Sequence, residues 1–208
     1  MIAIIDYDAG NIKSVERALH YLGQEFVVTD DTKMLNNASH VIFPGVGAAG
    51  TAMACLKRKS LDQCVKLCFQ TGKPILGICL GTQIILDASE ENAVDCIGLV
   101  RGVTKRFPRH LSVNGMALKI PHMGWNTVSF KREHPVFAGI ESQSEFYFVH
   151  SYYPSPSDET VVLGTTDYGI TFCSALGLKN LVAVQFHPEK SGRPGLRILQ
   201  NFCTWSGA

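Results

Sequence analysis

Short apolar runs alternate with segments of helical periodicity from Met1 to about Ala88, and this alternation restricts the fold more than any other feature. MIAIID is an apolar run closed by the turn-prone Asp8, Gly10 and Asn11, which reads as a buried strand and a loop. Ile12, Val15, Ala18, Leu19 and Leu22 then recur at helical spacing, with Gly23 where a left-handed cap is needed. Glu25 to Thr29 and Val41 to Phe43 read as strands, Leu61 to Phe69 as an amphipathic helix, and Pro74 to Ile78 as another strand. Strand, helix, strand, strand, helix, strand is the order of an open parallel sheet covered by helices. Past Asn92 the runs Leu99 to Val103, Ala117 to Ile120, Glu145 to Ser151, Val161 to Thr166, Ile170 to Leu176 and Leu181 to Phe186 read as hairpins added to that sheet. Gly195 to Trp205 closes the chain as a helix. No repeat or Pro/Ser linker intervenes, so residues 1–208 read as one α/β domain. The expected architecture is an open, mostly parallel central sheet with helices on both faces and added antiparallel hairpins.

Composition removes several functions. A chain 46% hydrophobic and 18% charged holds enough apolar mass for a packed core and is not a disordered protein. Nineteen Lys and Arg against 18 Asp and Glu give +1, so there is no basic field to hold a nucleic acid or an anionic membrane. No apolar stretch approaches the length of a membrane span, and the N-terminal run meets an acid where a secretion signal would stay apolar, so a soluble cytoplasmic protein is expected. Seven scattered cysteines fit neither a disulfide framework nor a zinc site, and no metal or cofactor is expected.

One cysteine stands apart. Gly77-Ile78-Cys79-Leu80-Gly81 follows a buried strand and precedes the helix-like Thr82 to Ala88. In a nucleophile elbow the reactive residue sits on such a turn, and glycines on either side let the chains approach without Cβ clashes. The N–H groups of the following helix favour a thiolate, and that of Leu80 faces a developing oxyanion. The alternative is a buried structural cysteine in a tight turn. A nucleophile needs a base, and the base needs an orienting group. Of seven histidines, His187 alone starts His-Pro-Glu: it ends a predicted strand, and Pro188 and Glu189 follow, so Glu189 returns toward the ring. Pro44-Gly45-Val46-Gly47 follows the third strand, and its Val46 amide is a candidate second oxyanion donor.

With these motifs, the sequence resembles the class I, triad-type glutamine amidotransferases, and more narrowly the glutaminase subunits of imidazole glycerol phosphate synthases, over nearly its whole length. Gly77 to Gln83 is similar to the family's nucleophile segment and Gln185 to Glu189 to its His-Pro-Glu segment. Asp6 to Asn11, Pro44 to Gly47, Pro121 to Asn126, Phe148 to Tyr152 and Lys190 to Gly192 are similar to the narrower group. The resemblance implies that Cys79 attacks the carboxamide of glutamine, His187 carries the proton and Glu189 holds His187. It implies that Val46 and Leu80 form the oxyanion hole and that Gly47, Gln83, Glu91, Tyr147, His150 and Ser151 hold glutamine. It further implies that Asn11, Trp125 and Lys190 contact a partner.

That partner, by the same resemblance, is a TIM-barrel cyclase in a heterodimer, which uses the ammonia in histidine biosynthesis. Ammonia is mostly protonated in neutral water and is then no nucleophile, so a dry path to the acceptor is needed. The alternatives are a glutaminase subunit of another class I amidotransferase or of a parallel pathway with a cyclase-like partner, and a catalytically silent regulatory scaffold.

Overall fold

The computed structural model describes residues 1–8, 11–113, 115–141 and 143–207; Gly10 of the first loop lies outside the described residues. The first part of the chain runs β1 (Ile2–Ile5), α1 (Ile12–Tyr21), β2 (Phe26–Thr29), α2 (Thr32–Asn37), β3 (His40–Phe43), α3 (Ala49–Arg58), α4 (Leu61–Gln70), β4 (Ile75–Ile78) and α5 (Leu80–Ile84). There follow β5 (Ala88–Ser89), β6 (Val94–Asp95), β7 (Gly102–Arg106), β8 (Ser112–Val113), β9 (Met116–Ala117), β10 (His122–Thr127) and β11 (Ser129–Phe130). The last elements are β12 (Glu145–His150), β13 (Tyr152–Pro156), β14 (Val162–Asp167), β15 (Thr171–Leu178), β16 (Leu181–Val184) and α6 (Gly192–Thr204).

Eight strands form the central sheet in the order β11-β14-β15-β16-β4-β3-β1-β2. The stretch from β16 through β4, β3 and β1 to β2 is parallel, and β15, β14 and β11 extend it antiparallel. The central strands are buried on both faces, as their near-continuous apolar sequences require. Alternate residues of β1 point to two cores: Ile2 and Ile4 pack with α1 and α6, Ala3 and Ile5 with α2, α3 and α4. On α1 the buried face is Val15, Ala18 and Leu19, and full burial of Val15 and Leu19 stabilises by about 1.5–3 kcal/mol each. Gly23 takes φ 67° and its N–H returns to the His20 carbonyl at 3.0 Å, so it ends the helix as the sequence implies.

The structure departs from the sequence reading at several places. α2 and α3 separate elements read as adjacent; α3 (AGTAMACLKR) opens with small residues that extend the Pro-Gly-Val-Gly loop in sequence, yet it buries Ala52, Met53, Cys55 and Leu56. The helix after the elbow stops at Ile84, not Ala88, because Ala88 and Ser89 pair with β6 and β7. Of the added strands only β11, β14, β15 and β16 join the main sheet. β10 and β12 make a separate antiparallel pair, and β13, β7, β5 and β6 a separate four-stranded sheet. Among the described residues no helix is long and apolar enough to cross a membrane.

Candidate active site

Parallel strands β1, β3, β4 and β16 end on the same side of the sheet, and the segments leaving them carry Tyr7, Gly45–Val46, Cys79 and Gln185–His187. Open α/β sheets gather ligand sites at this edge. Cys79 has φ 53° and ψ −106°, a conformation costly for any residue with a Cβ. It is held there by hydrogen bonds on both sides: Cys79 N–H donates to the Val184 carbonyl at 2.9 Å, and the Cys79 carbonyl accepts from the Thr82 amide at 3.0 Å. Thr82 also donates its hydroxyl to Val184 at 2.6 Å. The flanking glycines are sterically required. A Cβ on Gly81 would stand 1.9 Å from the Phe43 carbonyl oxygen, and one on Gly77 would stand 2.9 Å from the Ala183 Cβ.

His187 and Glu189 arrive from the end of β16. The His187 amide donates to the Tyr147 carbonyl at 2.9 Å, and Ser191 Oγ donates to the His187 carbonyl at 2.6 Å, which fixes the turn. Nδ1 of His187 lies 2.8 Å from Glu189 Oε1, with both side chains sealed from solvent. Nδ1 is therefore the donor, and Nε2 is left for the sulfur. Nε2 is buried without a partner of hydrogen-bonding geometry, and so is Glu189 Oε2. Burial works against a charged ring, but the charge of Cys79 followed by the Glu189 carboxylate outweighs it and raises the His187 pKa to about 10. The helix that follows Cys79, α5, has only five residues, so its dipole is short.

A cleft of about 340 Å³ opens at Cys79, lined among others by Val46, Gly47, Leu80, Gln83, Glu91, His150 and Ser151. One oxygen of Glu91 accepts the Ala49 N–H at the start of α3 at 2.8 Å, which leaves the other for a ligand cation. Gln83 donates its amide hydrogens to the Tyr152 carbonyl at 2.9 Å and to Gln185 Oε1 at 3.0 Å, so it faces a ligand as an acceptor. His150 Nδ1 lies 2.8 Å from the Tyr152 carbonyl and its Nε2 lies 2.9 Å from His122 Nδ1. Burial depresses both rings, His150 to about 3 and His122 to about 4, so both are neutral. The carbonyl fixes the proton of His150 on Nδ1, and His122 must then donate from its own Nδ1.

The two amides expected as oxyanion donors stand differently. Leu80 N–H donates to the Gly45 carbonyl at 3.3 Å, so the oxygen of the Gly45–Val46 peptide takes up the amide expected to face an oxyanion. Behind the loop, Tyr7 donates its hydroxyl to the Pro44 carbonyl at 2.7 Å and presses on Gly45. Tyr147 is not among the cleft's lining residues. Its ring lies 6.2 Å from Trp125 and 6.0 Å from Lys190 Nζ, and it meets the site through its backbone. Trp125 is 54% exposed on β10. Asn11, read from the resemblance as a partner contact, donates Nδ2 to Glu189 Oε1 at 2.8 Å and so touches the His187–Glu189 pair directly.

Sequence reasoning missed Tyr7, Gln185 and this role of Asn11. Gln185 was within reach of it, because residues two apart on an extended segment share a side and His187 was already placed there. Nothing local in the sequence marks Tyr7 or joins Asn11 to Glu189 across 178 positions. Among the described residues no group of three His, Cys, Asp or Glu side chains is arranged to hold a metal ion.

Comparison with known proteins agrees with this geometry. The family model described as glutamine amidotransferase class-I matches residues 3–205. The imidazole glycerol phosphate synthase subunit HisH of Desulfovibrio desulfuricans is 53% identical over 203 residues, covering 97% of this chain and 93% of that protein. The HisH proteins of Nitratidesulfovibrio vulgaris and Pseudomonas syringae pv. syringae are 50% and 45% identical, covering 97% and 99% of this chain and 95% and 98% of theirs. A solved structure described as a glutamine amidotransferase superposes with a TM-score of 0.76 at 17% identity, covering 100% of both chains. The structure of PurLQS from Thermotoga maritima gives 0.73 at 17%, covering 97% of this chain and 96% of that one. At such identities the likeness is one of fold.

Proposed function

The chain belongs to the class I glutamine amidotransferases, and on that premise we propose that it is the glutaminase subunit of an imidazole glycerol phosphate synthase, working in the cytoplasm in histidine biosynthesis. The observation that carries this reading is Cys79 on a strained strand-to-helix turn, beside a buried His187–Glu189 pair at 2.8 Å. All 208 residues serve as one amidotransferase domain. Cys79 Sγ adds to the carboxamide carbon of glutamine, and the oxygen takes the negative charge. His187 gives its Nε2 proton to the nitrogen, the C–N bond breaks and ammonia leaves a thioester on Cys79. Water, deprotonated by His187, then adds to the thioester; the C–S bond breaks, glutamate departs and the sulfur regains its resting state. Glu189 keeps His187 in the tautomer that aims Nε2 at the sulfur and stabilises the imidazolium. Glu91 and the free oxygen of Gln83 suit the α-ammonium of glutamine, with Gly47, His150 and Ser151 around it.

Leu80 and Val46 supply the oxyanion donors once the Gly45–Val46 peptide turns its N–H inward. With the Gly45 carbonyl on Leu80, the free chain is held at a low rate, and acceptor binding on the partner favours the turned form. The partner is a TIM-barrel cyclase that receives the ammonia out of contact with water, and Trp125 with Lys190 forms part of the contact. Glutamine hydrolysis measured with the chain alone, with the cyclase, and with the cyclase and its acceptor nucleotide tests the reading. A rise at each step is expected. A rate indifferent to the cyclase and its ligand, or undiminished in Cys79→Ala, overturns it.

A further inference from the structure

The mechanism above leaves one polar side chain beside the nucleophile without a task. Gln185 is fully buried, and its Nε2 lies 3.7 Å from Cys79 Sγ, within the range of an N–H···S hydrogen bond. Which end of an amide faces a neighbour is settled by its partners, and here they leave no freedom. The Tyr152 carbonyl can only accept, so Gln83 turns its NH2 group toward it at 2.9 Å. The second hydrogen of that NH2 points at Gln185, 3.0 Å away, and must meet an oxygen. Gln185 therefore presents Oε1 to Gln83 and its NH2 group to the sulfur; the opposite orientation would set two NH2 groups against each other in a sealed interior. The Tyr152 carbonyl also accepts from His150 Nδ1–H at 2.8 Å.

We propose that Gln185 is a catalytic residue, its amide N–H donating to Cys79 Sγ and stabilising the thiolate, and that Gln83 is a positioning residue that fixes the Gln185 amide in the donating orientation. The inference rests on the reading of Cys79 as the nucleophile. A neutral donor suits this place. It favours the anionic sulfur without competing with His187 for a proton, and it favours the thiolate over the sulfur of the thioester, which carries no charge. In the first addition it works against the departure of charge from sulfur; in the last step, when the C–S bond breaks, it favours the leaving thiolate. Deacylation is thus the step it assists.

The titratable groups around the sulfur are His187, Tyr7 from the loop after β1, and Glu91 and His150 across the cleft, with Glu189 behind His187; a change at position 185 alters none of them chemically. The test is alkylation of Cys79 by iodoacetamide in the full chain, followed by peptide mass spectrometry at about pH 6.5 and about pH 10, with glutamine turnover of the cyclase complex in parallel. Gln185→Met keeps the length and removes the donor, at the cost of leaving a Gln83 hydrogen without its acceptor. The double variant Gln83→Met with Gln185→Met removes both partners and so leaves no orphan. In both we expect alkylation about tenfold slower at the lower pH and equal to wild type at the higher. For Gln185→Met, deacylation slows, so kcat falls about tenfold and KM for glutamine falls with it, leaving kcat/KM nearly unchanged. Wild-type alkylation at the lower pH in either variant overturns the inference, as does equal slowing at both pH values, which would mark a merely structural role. Glutamine hydrolysis surviving in Cys79→Ala would instead overturn the functional reading itself, a distinguishable failure.

Discussion

Gly81→Ala probes how tightly the elbow is built. The added methyl would stand 1.9 Å from the Phe43 carbonyl oxygen. Carbon and carbonyl oxygen in contact keep about 3.3 Å or more, so the first turn of α5 and the end of β3 must separate by about 1.4 Å. Both partners are main chain in a packed interior, so the strain belongs at the upper end of the about 1–3 kcal/mol that overpacking costs. In a chain of this size each kcal/mol shifts Tm by about 2–4 °C, and about 3 kcal/mol lowers it by about 6–12 °C. Phe43 leads directly into Pro44-Gly45-Val46, so the displacement also shifts that loop relative to Leu80. A misplacement of about 1 Å can cost about a hundredfold in rate, so turnover should fall well beyond what stability explains. Gly77→Ala is the comparison, since its methyl meets the Ala183 methyl group at 2.9 Å and main chain of Gly81 and Thr82 only at an ordinary 3.4 Å, and about 1 kcal/mol is expected. Thermal unfolding of the two variants, with glutamine hydrolysis at a temperature where both are folded, makes the measurement. A Gly81→Ala protein that melts within about a degree of wild type, or above Gly77→Ala, would refute the argument that this turn needs a bare Cα.

Cys79→Ala should abolish glutamine hydrolysis, whereas Glu189→Ala should lower kcat by roughly 10²–10⁴ and leave measurable turnover; equal, negligible loss in both would contradict the assigned roles. Asn11→Ala removes the donor to Glu189 Oε1 and should reduce kcat several-fold in the complex at unchanged KM, read by steady-state kinetics; an effect on complex affinity alone would return Asn11 to a pure contact role. Trp125→Ala should weaken cyclase binding about thirtyfold in calorimetry with no change in Tm, and unchanged affinity would remove Trp125 from the interface. Unfolded His122 and His150 take protons near pH 6.5 but in the fold only near pH 4 and pH 3, so stability falls as the pH is lowered across that interval. His187 is raised instead and stays protonated in the fold, so as its unfolded form gains a proton near pH 6.5 it offsets part of that loss. Urea unfolding at about pH 7 and about pH 5 should show the loss, and His122→Gln should reduce it; an identical loss in that variant would sink the assignment.

Much of this architecture is written in local pattern. Buried strands such as Ile75–Ile78 and Leu181–Val184 are apolar runs bounded by turn residues, and α1 and α6 display one apolar face each, so each was readable from its own window. The elbow was readable because its chemistry is compressed into five residues. α3 was not, since its buried side chains are Ala, Met and Cys, which mark a helical face weakly. β10 and β13 escaped too, because Gly124, Asn126, Pro154 and Pro156 break the look of a strand and the pairing with β12 and β7 supplies what the residues do not. The site divides along the same line. Cys79, His187 and Glu189 sit in short motifs, while Asn11 on Glu189, Tyr7 under the Pro44 carbonyl and Glu91 on the start of α3 are meetings of distant segments. Those meetings exist only once the sheet has been assembled.

The Gly45 oxygen that sits on the Leu80 amide belongs to the backbone. If it is the stopper proposed above, every residue type carries the same carbonyl, so replacing a side chain cannot delete it; mutation can only make it easier or harder to rotate. On that proposal the safety catch survives random substitution. Variants that burn glutamine without an acceptor should therefore be rare, and should cluster where the loop is braced, at Tyr7 and Gly45, ahead of the reacting groups themselves.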